Sequence, residues 1–185
     1  MTTFWIIIAI VAIALLWLVF AYNRLVRYRY RAREALSDID VQLKRRYELI
    51  PNLVEAVKGY MQHERSVLEN VTKARTQAMA QGGDPLKRAK TENALSNTLK
   101  TLFAVSENYP DLKANANFLD LQRELADTEN KIQASRRFYN GTVRDYNTAI
   151  ETFPTRLIAG MFGFAGMEFF ELGSEAEREP VQVKF

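Results

Sequence analysis

Histidine and cysteine, which bind transition metals and serve as catalytic bases and nucleophiles, are nearly missing from this 185-residue sequence, which has one histidine and no cysteine. The histidine, His63, precedes Glu64, but a zinc-binding helix of this type needs a second histidine four residues after the first, and none is there. No lysine directly follows Gly82-Gly83, as a phosphate-binding glycine loop requires. The sequence therefore predicts no catalytic, metal-binding or cofactor-binding residue, and no enzyme activity.

Polar residues beside the apolar positions of the predicted helices are the next candidates. Asp40, Gln42, Arg45 and Arg46 flank the apolar stripe of the first helix, and asparagines recur in the third, at Asn115, Asn117, Asn130, Asn140 and Asn147. One interpretation is a solvated helix face. The other is a buried polar network that fixes the register between helices or between subunits, at a cost in stability. We therefore take the first four as candidate contacts with another subunit or a partner.

The element that must position all of these residues is an apolar run of 18 residues from Phe4 to Ala21. As a helix it would reach roughly 27 Å, close to the thickness of a bilayer core. Trp5 and Tyr22 lie near its ends, where aromatic rings favour the membrane–water interface. A retained transmembrane anchor is the first interpretation and a cleaved secretory signal is the alternative, although no basic side chain precedes the run. The lack of cysteine excludes a lipoprotein anchor.

Basic residues follow the apolar run, at Arg24, Arg27, Arg29, Arg31 and Arg33. Positive charge this close to a membrane span favours the cytoplasmic side of the membrane, so we expect the bulk of the chain to be cytoplasmic. The same arginines would attract anionic lipid headgroups. The formal net charge of +3 is too small to favour nucleic-acid binding.

Apolar residues at steps of three and four predict long helices that pack into a bundle. The first helix is expected to continue from the anchor to about Gln81, with a kink or short break at Pro51. A turn at 81–85 leads to a second helix at about 85–107. A third helix is expected at about 113–151, and Pro154 can open a further short one.

The end of the chain is rich in phenylalanine and glycine between Leu157 and Phe170. Its large apolar residues could cover the open end of the bundle, form a subunit contact, or lie in the membrane interface. As candidate contacts we take Leu157, Met161, Phe162, Phe164, Phe169 and Phe170, with a slight preference for a protein contact. The alternating residues Val181, Val183 and Phe185 suit a short extended tail.

Long strings of residues resemble the LemA family over nearly the whole chain. They are residues 22–26, IDVQLKRRYELIPNLVEAVKGYMQHE at 39–64, YPDLKANANFLDLQRELADTENKI at 109–132, and the shorter strings at 139–140, 146–148 and 153–154. The resemblance implies a bacterial membrane protein with an N-terminal anchor and a helical bundle, and no known catalytic residue. It also implies similarity to magnetosome-membrane proteins and, loosely, a membrane zinc metalloprotease as a partner. Some relatives carry a lipidated cysteine and face away from the cytoplasm, which keeps a periplasmic placement open.

Together these observations predict an all-α protein in which an N-terminal transmembrane helix continues into an elongated antiparallel helical bundle. The expected domains are an anchor at 1–21, a LemA-like bundle at 22–156, and an apolar segment with an extended tail at 157–185. We expect a self-assembling, non-enzymatic scaffold or adaptor of the bacterial inner membrane. The alternatives are an accessory of a membrane zinc metalloprotease in envelope quality control and a membrane-remodelling coat. The expected partners are the bilayer and further copies of the chain, without nucleic acid or small-molecule substrate.

Overall fold

The structure is a computed structural model that describes residues 1–61, 63–80 and 89–170. In these residues the helices are α1 (Thr2–Lys58), α2 (Arg65–Ala80), α3 (Ala89–Ser106), α4 (Pro110–Lys113), α5 (Ala116–Glu151) and α6 (Thr155–Met161). No β-strand occurs in the described part of the chain. The predicted all-α fold is confirmed.

Helix α1 passes through Pro51 without ending there, and stops at Lys58 rather than near Gln81. A proline inside a helix leaves the carbonyl four residues earlier without its backbone donor. Here that carbonyl belongs to Tyr47, and Nε of Arg75 in α2 donates a hydrogen bond to it at 2.8 Å. A side chain from a neighbouring helix thus replaces the missing donor, which explains why the proline does not end α1.

The actual break follows Lys58, where the backbone N–H groups of Tyr60 and Met61 both donate to the carbonyl of Val57 at 3.0 Å. The chain then reverses, because the contact between Arg75 and Tyr47 requires α2 to run back along α1. The expected single helix from the anchor to Gln81 is therefore two antiparallel helices.

The later helices agree closely with the sequence prediction. Helix α3 lies inside the predicted 85–107, while the predicted turn at 81–85 falls outside the described residues. Pro110 opens the short helix α4. Asn115 then caps α5, since its Oδ1 accepts a hydrogen bond from the N–H of Phe118 at 3.1 Å. The short helix expected at Pro154 is confirmed as α6, and the predicted tail at 181–185 lies outside the described residues.

The chain divides into two compact units. Unit 1 comprises Met1–Leu36 and Arg137–Phe169. Unit 2 comprises Ser37–Arg136 and Phe170–Phe185, and in the second of these ranges the structure describes Phe170. Helices α1 and α5 contribute residues to both units. The boundaries expected at residues 21 and 156 stay predictions.

Unit 2 is a bundle of α2, α3 and the adjoining parts of α1 and α5. Helices α1 and α5 are antiparallel. Asn115, at the start of α5, donates a hydrogen bond to the hydroxyl of Tyr60, just beyond the end of α1, at 3.1 Å. Glu129, further along α5, accepts one from Arg46, which comes earlier in α1. Most residues of the predicted stripes form the core of this unit, including Ile39, Leu43, Ile50, Val57, Val71, Leu95, Leu99, Leu102, Phe118, Leu125 and Ile132. In the first stripe Leu53 is buried, whereas Val54, which was expected there, is half-buried.

Unit 1 is built from the beginning of α1, the end of α5, helix α6 and the non-helical residues 162–169, which we call the return segment. Ala21 and Leu25 of α1 pack with Tyr146 and Ile150 of α5 and with Ile158 of α6. The spacing of Phe153 from Tyr146 and Ile150 places it on the apolar stripe of the third helix and predicts burial, but Phe153 is exposed. Phe153 lies beyond the end of α5 at Glu151, so the helical periodicity that predicted its burial does not apply to it.

Candidate functional site

The first twenty residues of α1 expose their apolar side chains along the whole predicted span. Leu16 is 72% exposed and Trp5 66% exposed, and within residues 1–20 only Leu18 is half-buried. Helix α1 is the helix in the described residues that is long and apolar enough to cross a membrane. An exposed surface of this kind in water would be strongly unfavourable, which fits membrane anchoring.

The arginines after the span occupy different environments within unit 1. Arg24, Arg27 and Arg31 are exposed. Arg29 is half-buried, with its guanidinium 5.1 Å from the ring centre of Phe164. Arg33, which is exposed, lies 5.9 Å from the ring centre of Tyr30. All five arginines are expected to have the same topological role, but the structure places Arg29, Arg33 and Arg24 over the rings of Phe164, Tyr30 and Tyr28, respectively.

Tyr22, expected at the membrane interface, packs against the return segment. Its ring centre is 4.8 Å from that of Phe162 and 5.7 Å from that of Phe164. These contacts place α6 and the start of the return segment beside the turn of α1 that follows the apolar run.

The return segment is held along α5 by hydrogen bonds to its backbone. The side-chain amide of Asn147 both donates to the carbonyl of Met167 and accepts from its N–H, each at 2.9 Å. The hydroxyls of Tyr146 and Tyr139 donate to the carbonyls of Ala165 and Glu168, also at 2.9 Å. One of the asparagines noted in the sequence therefore positions the return segment.

The candidate contact residues near the end of the chain separate into exposed and buried groups. In unit 1, Leu157, Met161, Phe162 and Phe169 are exposed, and Met161 reaches 73%. Phe164 is buried against Tyr22 and Arg29. Phe170, in unit 2, is buried beneath the guanidinium of Arg136, 4.5 Å from its ring centre. The exposed members remain candidates for a contact with another molecule.

The centre of unit 2 contains a buried charge cluster of Arg46, Tyr47, Glu92, Ser96 and Glu129. Arg46 is 0% exposed and forms ion pairs with Glu92 and, at 2.7 Å, with Glu129. The same guanidinium donates to the hydroxyl of Ser96 at 2.8 Å, and Tyr47 donates to Glu92. Arg46 therefore binds groups of its own chain rather than presenting a surface to a partner.

Glu129 is held in its charged form by this arrangement. Burial by itself would raise the pKa of Glu129, but the charge of Arg46 and hydrogen bonds from Arg46, Gln133 and Ser96 outweigh burial, and the pKa lies below its usual value. Charge-assisted hydrogen bonds of this kind are among the strongest in proteins.

A second buried arginine lies in the same unit. Arg136 is 1% exposed, and its Nη1 donates to Oδ1 of Asn93 at 3.0 Å. Its Nε and Nη2 have no hydrogen-bond partner among the described residues. Burial and the charge of Arg46 lower the pKa of Arg136, partly offset by Glu129 and Glu92.

The other candidate contact residues of α1 differ in their exposure. Asp40 and Gln42 are half-buried and Arg45 is exposed. The Oε1 of Gln42 has no hydrogen-bond partner within the described ranges. His63 is exposed, and the described part of the chain holds no group of three or more His, Cys, Asp or Glu residues placed to bind a metal.

Comparison with known proteins establishes the family. Residues 35–185 match the sequence profile of the LemA family. The chain belongs to the LemA family. It is 27% identical over 182 residues to Protein LemA of Metamycoplasma hominis, a match that covers 97% of this chain and 83% of that protein.

This LemA family member is also similar to magnetosome proteins. It is 24% identical over 178 residues to Magnetosome protein MamQ of Magnetospirillum gryphiswaldense, a match that covers 83% of this chain and 65% of that protein. A similar match, 24% over 179 residues, is found with Magnetosome protein MamQ 2 of Paramagnetospirillum magneticum. The chain thus spans slightly less than two thirds of the magnetosome proteins it matches.

Sequence reasoning missed most of the charge cluster of this LemA family member, although a signal was present. Arg46, Glu92 and Arg136 occupy positions in step with the apolar stripes of three helices, where a charge is costly unless it is paired. Charged residues at core positions on several helices, in both signs, would have predicted a buried ionic network between those helices.

Proposed function

We propose that this LemA-family protein is a membrane-anchored, non-enzymatic scaffold or adaptor of the bacterial cell envelope that self-assembles. The observation that carries the proposal is an exposed apolar surface in unit 1 formed by Phe153, Leu157, Met161 and Phe162, beyond the predicted membrane span. Large apolar side chains exposed together outside a core are typical of contact surfaces. The names of its relatives, LemA and magnetosome protein, are not enzyme names.

The position of this surface supports a contact between copies of the chain. Phe162 contacts Tyr22, which directly follows the apolar run of α1. Chains anchored in one bilayer present this surface at the same height above the membrane, so lateral encounters bring identical surfaces together. Closed symmetry about an axis normal to the membrane is the simplest assembly that satisfies such contacts.

We place the anchor in the inner membrane with the bulk of the chain in the cytoplasm. The five arginines that follow the apolar run support this orientation, and a periplasmic placement is the alternative. The proposed partners are the bilayer and further copies of the chain. A membrane protease remains a proposed further partner, and no nucleic acid or small-molecule substrate is proposed.

Sedimentation velocity of the full chain in a non-ionic detergent tests the self-assembly. Leu157→Ser combined with Met161→Ser is expected to shift the assembly to smaller species, because it removes two neighbouring apolar side chains from one face of α6. The matched control is Val41→Ser, an exposed apolar residue of unit 2, which should leave the distribution unchanged. A wild-type monomer across the micromolar range would contradict the proposal.

Two further outcomes distinguish other functions of the same surface. If it lies in the membrane interface instead, a tryptophan placed at position 162, with Trp5 and Trp17 changed to phenylalanine, would be quenched by brominated lipids. If native complexes extracted in gentle detergent contain a stoichiometric protease, the accessory function replaces the scaffold.

A further inference from the structure

A basic groove lies on one face of α1, immediately after the apolar run. It is lined by Phe20, Arg24, Arg27, Tyr28 and Arg31 and encloses about 370 Å³. The steps of three and four between these residues place them on one side of the helix. Phe20 lines the end of the groove next to the apolar run, and the three arginines and Tyr28 line the remainder.

An adjacent face of α1 packs into unit 1, where Ala21, Leu25 and Ala32 are buried. Tyr28 is half-buried against this core, so the basic groove borders it, while its three arginines face outward. Arg24, Arg27 and Arg31 are all exposed, so their guanidinium groups are available to a ligand.

Positive charge in the basic groove is not neutralised nearby. No acidic residue lines it, and the first acidic residue of the sequence, Glu34, comes three residues after Arg31. Within the described part of the chain, none of its three arginines forms an ion pair with a carboxylate.

One arginine of the basic groove is already ordered by a neighbour. Nη2 and Nε of Arg24 donate to the hydroxyl of Tyr28 at 3.1 and 3.3 Å, and its guanidinium carbon lies 5.5 Å from the ring centre. A guanidinium fixed in this way loses less side-chain freedom when it binds an anion. Arginine is also the side chain whose planar donors match phosphate oxygens in pairs.

We infer that the basic groove binds the headgroup phosphate of an anionic phospholipid, with an acyl chain of that lipid against Phe20. The inference rests on the proposed membrane anchor, which places the groove at the level of the headgroups. A lipid is favoured over a free phosphate because the groove is apolar at the end that adjoins the span and basic at the other. The site would give this protein a preference for anionic membranes beyond the general attraction of its charge.

Native mass spectrometry of the full chain, released from detergent with phosphatidylglycerol or phosphatidylcholine, tests the inference. The wild type is expected to retain phosphatidylglycerol at least about tenfold better than phosphatidylcholine. The triple variant Arg24→Gln, Arg27→Gln, Arg31→Gln should bind phosphatidylglycerol about a hundredfold more weakly. This factor assumes that each basic residue near a membrane surface contributes about fivefold to the affinity for anionic lipid.

The matched control changes three exposed arginines of unit 1 that lie outside the basic groove, as Arg33→Gln, Arg137→Gln and Arg144→Gln. It removes the same net charge and should weaken binding by no more than about fivefold. Equal losses in both triple variants would overturn the inference in favour of diffuse charge attraction. Circular dichroism should give the same helix content for all three proteins.

Two arms separate the remaining explanations. A large molar excess of inorganic phosphate should leave the bound lipid in place, and its displacement would assign the groove to free phosphate instead. Flotation with pure phosphatidylcholine vesicles tests the anchor independently of charge. Flotation without a preference for phosphatidylglycerol refutes only the lipid site, whereas a wild type that does not float refutes the anchor and the lipid site together.

Discussion

Arg46 and its two carboxylate partners form the most constrained group of side chains in unit 2. Desolvating a charge is expensive, and a buried ion pair recovers this cost only with good geometry and further hydrogen bonds. In the charge cluster, Ser96 and Tyr47 add hydrogen bonds to the two ion pairs, while Nε of Arg46 has no hydrogen-bond partner among the described residues. Three helices thereby meet at one guanidinium, which favours a single register between them.

Arg46→Met is expected to lower the free energy of unfolding by about 3–5 kcal/mol, because it removes the cation from two carboxylates and leaves Glu92 buried without its partner. Arg136→Met should change it by no more than about 1–2 kcal/mol, since Arg136 makes fewer polar contacts and its desolvation cost disappears with it. Urea denaturation of the full chain in non-ionic detergent, followed by circular dichroism, measures both. Equal losses of stability in the two variants would contradict the view that Arg46 is held by its ion pairs and Arg136 is not.

Glu129 should make the stability of the protein depend on pH. Its pKa is lower in the folded chain than in the unfolded chain, so its contribution is complete above the ordinary glutamate pKa of about 4.3. This contribution is lost as the pH falls through the lower, folded-state pKa. Denaturation at a series of pH values should show stability falling with acidification, and more weakly in Glu129→Gln. An identical slope in the variant would refute the role of this carboxylate.

At the scale of elements, the end of α6 depends on Gly163. This residue has φ of +67°, in the left-handed region, and follows the last turn of the helix. The N–H of Phe164 then donates to the carbonyl of Ala159 at 2.9 Å, which is the closing bond of a Schellman motif. The turn directs the return segment back along α5 and brings Phe164 to Tyr22.

Gly163→Ala is expected to destabilise unit 1 by about 1–2 kcal/mol, because an L-residue with a Cβ disfavours this backbone conformation. Gly160→Ala is the matched control. Gly160 lies within α6 with no atom in reach of an added Cβ, so the change should be neutral or stabilising by up to about 1 kcal/mol. Thermal unfolding followed by circular dichroism compares the two. A loss from Gly160→Ala as large as that from Gly163→Ala would show that the turn is not the cause.

At the scale of the whole molecule, charge is distributed unevenly along α1, with arginines after the apolar run and no basic side chain before it. This asymmetry predicts that external protease added to intact spheroplasts leaves the C-terminal part of the chain undigested. Neutral replacement of all five arginines should weaken the preference, because each contributes to the positive-inside bias. Digestion of the wild type without lysis would reverse the assigned orientation.

The sequence by itself determined the helical nature of the chain and most of its core. A stripe of apolar residues at helical spacing, such as Ile39, Leu43 and Ile50, is a local property that any helix of that sequence shares, and all three are buried. The exposed apolar run of α1 was equally evident, since its length and composition need no tertiary information. The helix start at Pro110 is also a local signal, whereas the cap of α5 at Asn115 was not predicted.

Only the tertiary structure decided how the exceptions to these patterns are accommodated. Pro51 stays within α1 because Arg75, 28 residues from Tyr47 in sequence, supplies the missing donor. Arg46 is buried because Glu92 and Glu129, 46 and 83 residues away, pair with it. Whether a proline breaks a helix, or a charge can leave water, depends on partners that reach it through space, and helical periodicity carries no information about which distant residues those are.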